Sequence, residues 1–138
     1  MLGGEGEAEM AEIAVGLRGT ATALVTVANT ASSIGSGDVP VYGTPALVAL
    51  MEAAAVKALA GRLGPDETTV GTSLEISHLA ATPIGGTVRA EAELIAMEGR
   101  KLTFAFVAHD DQEKVGEGRH QRLIVSRERF LARLQAKR

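Results

Sequence analysis

The sequence predicts an α+β fold in which a five-stranded antiparallel sheet wraps around one central helix. Two observations predict it: residues 45–60 form a nearly uninterrupted apolar helical stretch, and residues 69–125 divide into strand-like segments separated by turn signals. An antiparallel sheet commonly covers an apolar partner with one face, so curling the sheet around the helix buries the helix most economically. The chain has 138 residues, the size of one domain. We therefore expect a single domain over residues 1–138, with a flexible segment at 1–12.

Composition excludes several classes of protein. Hydrophobic residues make up 46% and charged residues 22%, as in soluble globular domains. The absence of cysteine excludes a disulfide scaffold, a Cys-ligated zinc site and thiol catalysis. The net charge of −3 and the scarcity of aromatic residues argue against binding to nucleic acid. No apolar run is long enough to cross a membrane, and the glutamate-rich start lacks the basic region of a secretory signal, so we expect a cytoplasmic protein.

The first half of the chain predicts a strand, a loop and the central helix. Residues 20–27 alternate in polarity and contain β-formers, which predicts a strand. Residues 31–43 are rich in Ser, Gly and Pro and predict a long, functional loop. Thr44 is a good N-cap and Pro45 suits the first helical position. The helix over 45–60 is apolar nearly all round, which predicts burial on every side.

The second half predicts four meandering strands after the helix ends at Gly61 or Gly64. The strands are expected at residues 69–80, 86–98, 101–109 and 114–125. Ser126 is expected to cap an amphipathic C-terminal helix. This order is that of the hot-dog fold. The exposed edges and uncovered face of its single sheet predict a homodimer.

Glu52 is the most informative polar residue, because it is the only charged residue between Pro45 and Val56. Burying a carboxylate among apolar groups is costly unless it is paired or hydrogen-bonded. A structural partner and a catalytic role as general base are both consistent with this pattern, since burial raises a carboxyl pKa toward neutrality.

His78 occupies the same face of its predicted strand as Leu74 and Ile76, the face that meets the helix. A core histidine with a satisfied hydrogen bond is one interpretation. The other is an acid–base pair with Glu52 on the facing helix.

Thr44 has two interpretations, a capping hydroxyl or a group beside an oxyanion site at the positive end of the helix. Eight residues of helix would separate Thr44 from Glu52 by about 12 Å along the axis. Either Thr44 folds back from the loop, or the pocket combines groups across a dimer interface. Gly71 marks either a bulge or a close approach of a ligand to the backbone.

Other polar groups carry weaker signals. Asp110, Asp111 and Glu113 have no second ligand cluster, so no metal site is expected, and His109 is expected at the surface. Gly35 and Gly37 lack the strand-to-helix context of a dinucleotide motif. Five basic residues and one acidic residue follow Val125, which suits either a solvated helix end or a cradle for a phosphorylated small molecule.

These residues resemble a known family. Residues 42–54, Y-G-T-P-A-L-V-A-L-M-E-A-A, are similar to the central helix of the fluoroacetyl-CoA thioesterase family within the hot-dog thioesterases, and residues 70–83 continue the likeness, which spans residues 39–130. The resemblance implies a homodimeric acyl-CoA thioesterase that needs no cofactor or metal beyond the CoA of its substrate. It implies a catalytic set of Thr44, Glu52 and His78, with Gly71 beside the thioester and Arg122 bordering the pocket.

The resemblance has one departure. The fluoroacetyl-specific enzyme carries an aromatic lid in the loop before the helix, and the matching residues 35–38 contain no aromatic. We therefore expect a broader or different small acyl-CoA. The residues leave open whether Thr44, Glu52 or water attacks, and Arg100, Arg122 and the C-terminal cations are candidates for the CoA phosphates. A non-catalytic acyl-CoA-binding module and an enoyl-CoA hydratase, whose motif is not found, are the alternative functions.

Overall fold

The computed structural model describes residues 12–138, so the flexibility expected for the first residues falls, up to residue 11, outside the described part. The strands are β1 (Arg18–Leu24), β2 (Glu67–His78), β3 (Thr87–Glu98), β4 (Lys101–His109) and β5 (Lys114–Ser126), and the helices are α1 (Ala31–Ile34), α2 (Thr44–Ala58) and α3 (Arg127–Gln135). A short 3₁₀ turn, Val27–Asn29, precedes α1.

The five strands form one antiparallel sheet in the order β1-β3-β4-β5-β2. The predicted meander is therefore correct for β3, β4 and β5 but wrong for β2, which pairs with β5 at the far edge. The connection through α2 carries the chain from one edge of the sheet to the other, so β1 and β2 are both edge strands. The curled sheet around a central helix confirms the predicted hot-dog fold.

The core lies between α2 and the concave face of the sheet, with α2 packed mainly on β1 and β3. Alternate residues of β3 and β4 are buried, as expected for strands with one covered face. The largest fully buried side chains are Phe104, Leu47, Met51, Leu59, Leu94 and Leu102. This core holds α2 rigidly against the sheet and so fixes the positions of its polar residues.

The predicted loop at 31–43 is partly wrong, because its first residues form α1. Thr30 Oγ1 accepts a hydrogen bond from the Ser33 backbone N–H at 3.3 Å and caps this turn of helix. Gly35 ends it in the left-handed region, at a φ of 76°. Thr30 and Gly35 therefore bound the turn of helix in front of α2.

Helix α2 differs from its prediction on one side. Ala49 and Lys57 are exposed and Val56 is 50% exposed, so the expectation of burial on every side is wrong for the single chain. Helix α2 ends at Ala58, two residues earlier than predicted, and Gly61, with a φ of 75°, lies in the turn that follows.

The C-terminal helix α3 begins as predicted. Ser126 Oγ accepts a hydrogen bond from the Arg129 backbone N–H at 3.3 Å and donates to Asp66 Oδ2 at 2.6 Å. Its apolar residues, including Phe130 and Leu134, remain partly exposed. Over residues 12–138, none of the helices combines the length and the apolar character that crossing a membrane requires.

Candidate active site

Thr44 and His78 meet at one end of the molecule. Thr44 is the first residue of α2 and His78 the last of β2, and the Thr44 Oγ1 lies 2.8 Å from the His78 Nδ1. The expectation that Thr44 is the N-cap is wrong, because Gly43 occupies that position and the Thr44 hydroxyl is free to contact the histidine. The sheet edge thus aligns a hydroxyl and an imidazole at the positive end of a helix.

The His78 ring is half-buried on the face that its alternation predicted. Burial lowers the pKa of His78 below its ordinary value, which favours the neutral ring. Its Nε2 is buried and has no hydrogen-bond partner among residues 12–138. Thr44 and His78 border a cleft of about 300 Å³, also lined by Ala31, Ser36, Val41, Tyr42, Leu79, Ala80 and Ala81. The arrangement is suited to proton transfer in a small cleft with both polar and apolar lining.

Glu52 lies two turns further along α2 and faces a different group. Its side chain is 42% exposed, so the expectation of a buried, isolated carboxylate is wrong for the single chain. Glu52 Oε2 is 3.5 Å from the Arg122 Nη1 and 3.9 Å from the His120 Nε2. A structural partner, one of the two alternatives for Glu52, is therefore present.

Arg122 is buried, with only 7% of its surface exposed. Its Nε donates to the Thr69 Oγ1 at 2.8 Å, and its Nη2 donates to the Thr69 carbonyl at 3.0 Å. Burial lowers the pKa of Arg122, although Glu52 opposes the shift, and a guanidinium remains protonated. Arg122 thus borders the Glu52 carboxylate, but it is too enclosed to hold a CoA phosphate.

Of the two interpretations of Gly71, the structure shows the bulge. The pairing of β2 with β5 shifts between Gly71 and Ser73, which is a bulge, and the shift puts Gly71 and Leu74 on the same inner face. A Cβ on Gly71 would stand 2.7 Å from the Glu52 Oε2 and 3.0 Å from the His120 Cε1. The group that approaches the backbone here is the Glu52 carboxylate.

Sequence reasoning missed His120, which is only 2% exposed and lies between Ser73 and Arg122. A signal was present. In β5, the alternate residues Gly118, His120 and Arg122 share the inner face of the strand. Two polar residues on such a face indicate a buried polar cluster, by the same reasoning that applied to His78.

The expected contact between Glu52 and His78 is not formed within the chain. Glu52 pairs with Arg122 and lies near the His120 ring, whereas His78 contacts Thr44. The rigid helix explains the separation, because eight residues of α2 span about 12 Å. The candidate site is therefore divided into a Thr44–His78 pair and a Glu52–Arg122–His120 cluster.

The basic C-terminal residues line a second cleft of about 620 Å³. Arg100, Arg129, Arg133 and Lys137 surround an apolar floor that includes Phe130. Arg100 also pairs with Glu67 at 2.8 Å. The cleft combines positive charge with an aromatic surface, the chemistry that a phosphorylated aromatic group needs. His109 is exposed, as predicted.

Comparison with known proteins identifies the family of the chain. The model of the family described as "Fluoroacetyl-CoA-specific thioesterase" matches residues 25–128. The fluoroacetyl-CoA thioesterase of Streptantibioticus cattleyicolor is 42% identical over 97 residues, which cover 70% of each protein. Residues 25–128, which the family model matches, contain the Thr44–His78 pair and the Glu52–Arg122–His120 cluster.

Solved structures agree with this match. A solved structure of the fluoroacetyl-CoA thioesterase FlK superimposes with a TM-score of 0.86 at 36% identity, covering 93% of this chain and 99% of that one. A Thermus thermophilus protein described as a thioesterase superfamily member has a TM-score of 0.82 at 28% identity, covering 91% and 95%. Fold and relatives define a member of the hot-dog thioesterase superfamily. Within it, the chain belongs to the fluoroacetyl-CoA-specific thioesterase family.

Proposed function

We propose that the protein hydrolyses the thioester bond of a small acyl-CoA. The observation that carries the proposal is the hydrogen bond between Thr44 and His78 beside a cleft of about 300 Å³. A hydroxyl in contact with a neutral imidazole is the arrangement that activates a nucleophile. The cleft has room for a short acyl group.

The catalytic site is completed by a second copy of the chain. Strand β2 is a twelve-residue edge strand, and α2 leaves Val56 and Glu52 partly exposed, so an edge and an adjoining face both remain to be covered. Two copies of β2 can pair antiparallel about a two-fold axis.

The register of that pairing decides whether the two groups meet. If the axis passes through Glu75, inner residues pair with inner residues. His78, three residues after Glu75, then lies opposite Gly71, four residues before it, because the bulge adds one residue on that side. The bulge gives these two residues the same inner face, and Gly71 adjoins Glu52. The buried Nε2 of His78 would then face Glu52 of the partner subunit.

Each group has a chemical role in this site. His78 Nδ1 accepts the Thr44 hydroxyl proton as Oγ1 attacks the thioester carbonyl, and Glu52 of the partner subunit stabilises the resulting imidazolium through Nε2–H. The start of α2 favours the negative charge that develops on the carbonyl oxygen. The carbon–sulfur bond breaks, and the thiolate takes the proton from His78. Water then attacks the Thr44 ester and gives a proton to His78 Nδ1, which passes it to the Thr44 Oγ1 as the acid is released.

The C-terminal cleft is proposed to hold the phosphates of CoA. Val125 and Ser126 pair with Thr68 and Glu67, so the cleft begins about 10 Å along β2 from Gly71, at 3.3 Å per residue. The cations there are exposed, unlike Arg122, and can therefore reach a ligand from solvent.

A thiol-release assay over acetyl-, fluoroacetyl-, propionyl- and butyryl-CoA tests the proposal. We expect turnover of at least one substrate, and we expect Glu52→Gln to lower kcat by at least about a hundredfold in a folded protein. Glu98→Gln, an exposed glutamate at a hairpin, is the matched control and should leave kcat unchanged. Saturable acyl-CoA binding without thiol release would indicate a binding module instead. Hydration of crotonyl-CoA without thiol release would indicate a hydratase.

A further inference from the structure

His120 is a buried titratable residue that the proposed mechanism does not use. It lies on the inner face of β5, opposite Leu74 of β2 and Phe104 of β4. Its side chain is 3% exposed, and both ring nitrogens have polar neighbours. A histidine enclosed to this extent has no direct route to substrate, so any effect it has must pass through the groups it contacts.

The contacts of His120 fix its tautomer. Nδ1 lies 3.0 Å from the Ser73 carbonyl oxygen, which can only accept, so Nδ1 carries the proton and donates. Nε2 lies 2.9 Å from the Arg122 Nη1, and a guanidinium can only donate. Nε2 is therefore unprotonated and accepts, which makes the ring neutral.

The charges around the ring agree with this assignment. Burial has the largest effect on the His120 pKa and lowers it, and the charge of Arg122 on β5 lowers it further. The Ser73 carbonyl on β2 and Glu52 on α2 act in the opposite direction, but the net pKa remains below the ordinary value. The neutral ring is thus the stable form at neutral pH.

We propose that His120 is a positioning residue that aims the Arg122 guanidinium at the Glu52 carboxylate. Thr69 holds the Nε and Nη2 of Arg122, and His120 holds Nη1, the nitrogen 3.5 Å from Glu52 Oε2. The guanidinium is consequently fixed by three hydrogen bonds. The Ser73 carbonyl adjoins the bulge beside Gly71, so the same ring also ties the bulge to the cluster.

The proposal rests on the proposed function, since it makes the placement of Glu52 depend on His120. Without an acceptor at the Nε2 position, the Arg122 Nη1 loses its anchor and the guanidinium can turn away from Glu52. Misplacement of a charged group of the site by about 1 Å can cost up to about a hundredfold in rate.

Two nearly isosteric variants separate positioning from packing. Gln at position 120 keeps an acceptor near the place of Nε2, whereas Met fills the same space without one. We expect His120→Met to lower kcat by roughly tenfold to a hundredfold with little change in KM, and we expect His120→Gln to restore most of it. Equal rates for the two folded variants, or a loss confined to KM, would overturn the proposal.

A second measurement requires neither turnover nor a variant that folds. Long-range ¹H–¹⁵N NMR correlation of the wild-type histidines at neutral pH should show Nδ1 of His120 protonated and Nε2 unprotonated. An Nε2–H tautomer or an imidazolium would overturn the assignment. If the wild-type protein released no thiol from any acyl-CoA, the proposed function would fail, while this spectrum would still test the hydrogen bonds by which His120 holds Arg122.

Discussion

The carboxylate of Glu52 occupies the space that a side chain on Gly71 would need, because a Cβ there would stand 2.7 Å from the Glu52 Oε2. The bulge that follows Gly71 turns this position toward α2, so the missing side chain and the carboxylate are matched in space. Glu52 can therefore occupy its observed position because residue 71 has no side chain.

Gly71→Ala should therefore lower activity more than stability. The added Cβ displaces the flexible end of Glu52 and presses on the His120 ring at 3.0 Å, which should cost about 1–2 kcal/mol in the free energy of unfolding. We expect kcat to fall about tenfold or more.

Denaturant unfolding and thiol-release kinetics check this prediction. The control is Gly64→Ala, where the new Cβ would also meet a glutamate, Glu67, at 3.3 Å, but away from Thr44, His78 and Glu52, so that kcat should be unchanged. An unchanged kcat in Gly71→Ala would show that Glu52 need not occupy its observed position.

Comparing Thr44→Val with Thr44→Ser separates the contribution of the Thr44 hydroxyl to catalysis from its contribution to the stability of the helix. Because Gly43 is the N-cap, we expect Thr44→Val to change the free energy of unfolding by less than about 0.5 kcal/mol. Loss of the hydrogen bond to His78 should lower kcat by at least about a hundredfold, whereas Thr44→Ser should retain most activity. Comparable rates for the two variants would remove Thr44 from the mechanism, and a loss of about 1 kcal/mol in Thr44→Val would restore its role as a cap.

Arg133→Ala should weaken binding of acyl-CoA through the C-terminal cleft. We expect KM to rise about two- to fivefold, the range for one exposed charge contact, with kcat unchanged. The same acyl group on pantetheine lacks the nucleotide phosphates and should show no difference between variant and wild type.

Arg89→Ala is the control for charge, because Arg89 is exposed and lines a different cleft beside Thr22 and Glu91. A KM that rises equally for acyl-CoA and acyl-pantetheine would argue against phosphate binding at the C-terminal cleft.

The stability of the protein should fall as the pH drops below the ordinary histidine pKa of 6.5. Burial lowers the pKa of both His78 and His120 in the folded state, so the unfolded chain binds more protons between the folded pKa values and 6.5. Stability therefore rises with pH through that window and levels off above it. The lowered carboxyl pKa values of Asp66 and Asp110 matter only at lower pH.

Thermal unfolding between about pH 5.5 and pH 7.5 measures this dependence. His120→Gln should show a smaller change in Tm across the range than the wild type, and His109→Gln, at the surface, should behave as the wild type. An equal change in Tm for all three would mean that His120 does not contribute.

The sequence was sufficient for most of the fold, because β4 and the start of α3 are set by local signals, a turn after Glu98 and the cap at Ser126. It failed for the position of β2, since the choice of pairing partner depends on contacts far apart in the chain. It also placed Thr44 one residue out at the helix start, where both Gly43 and Thr44 are acceptable caps.

Most residues of the candidate site could be predicted from the sequence, but the contacts between them could not. The isolation of Glu52 in an apolar helix and the inward face of His78 could be predicted from the sequence pattern. That pattern does not show that α2 directs Glu52 to Arg122. His120 was missed because a buried histidine on the next strand becomes meaningful only when the register of β2 and β5 is known.

Subunit complementation tests the central claim most directly, that Thr44 and His78 of one subunit act with Glu52 of the other. Glu52→Gln and His78→Asn are each expected to be inactive, but a heterodimer of the two retains one intact site, so random exchange should restore about a quarter of wild-type activity. Native mass spectrometry of the mixture verifies the exchange. Verified heterodimers without thiol release would contradict the account and confine each site to a single chain.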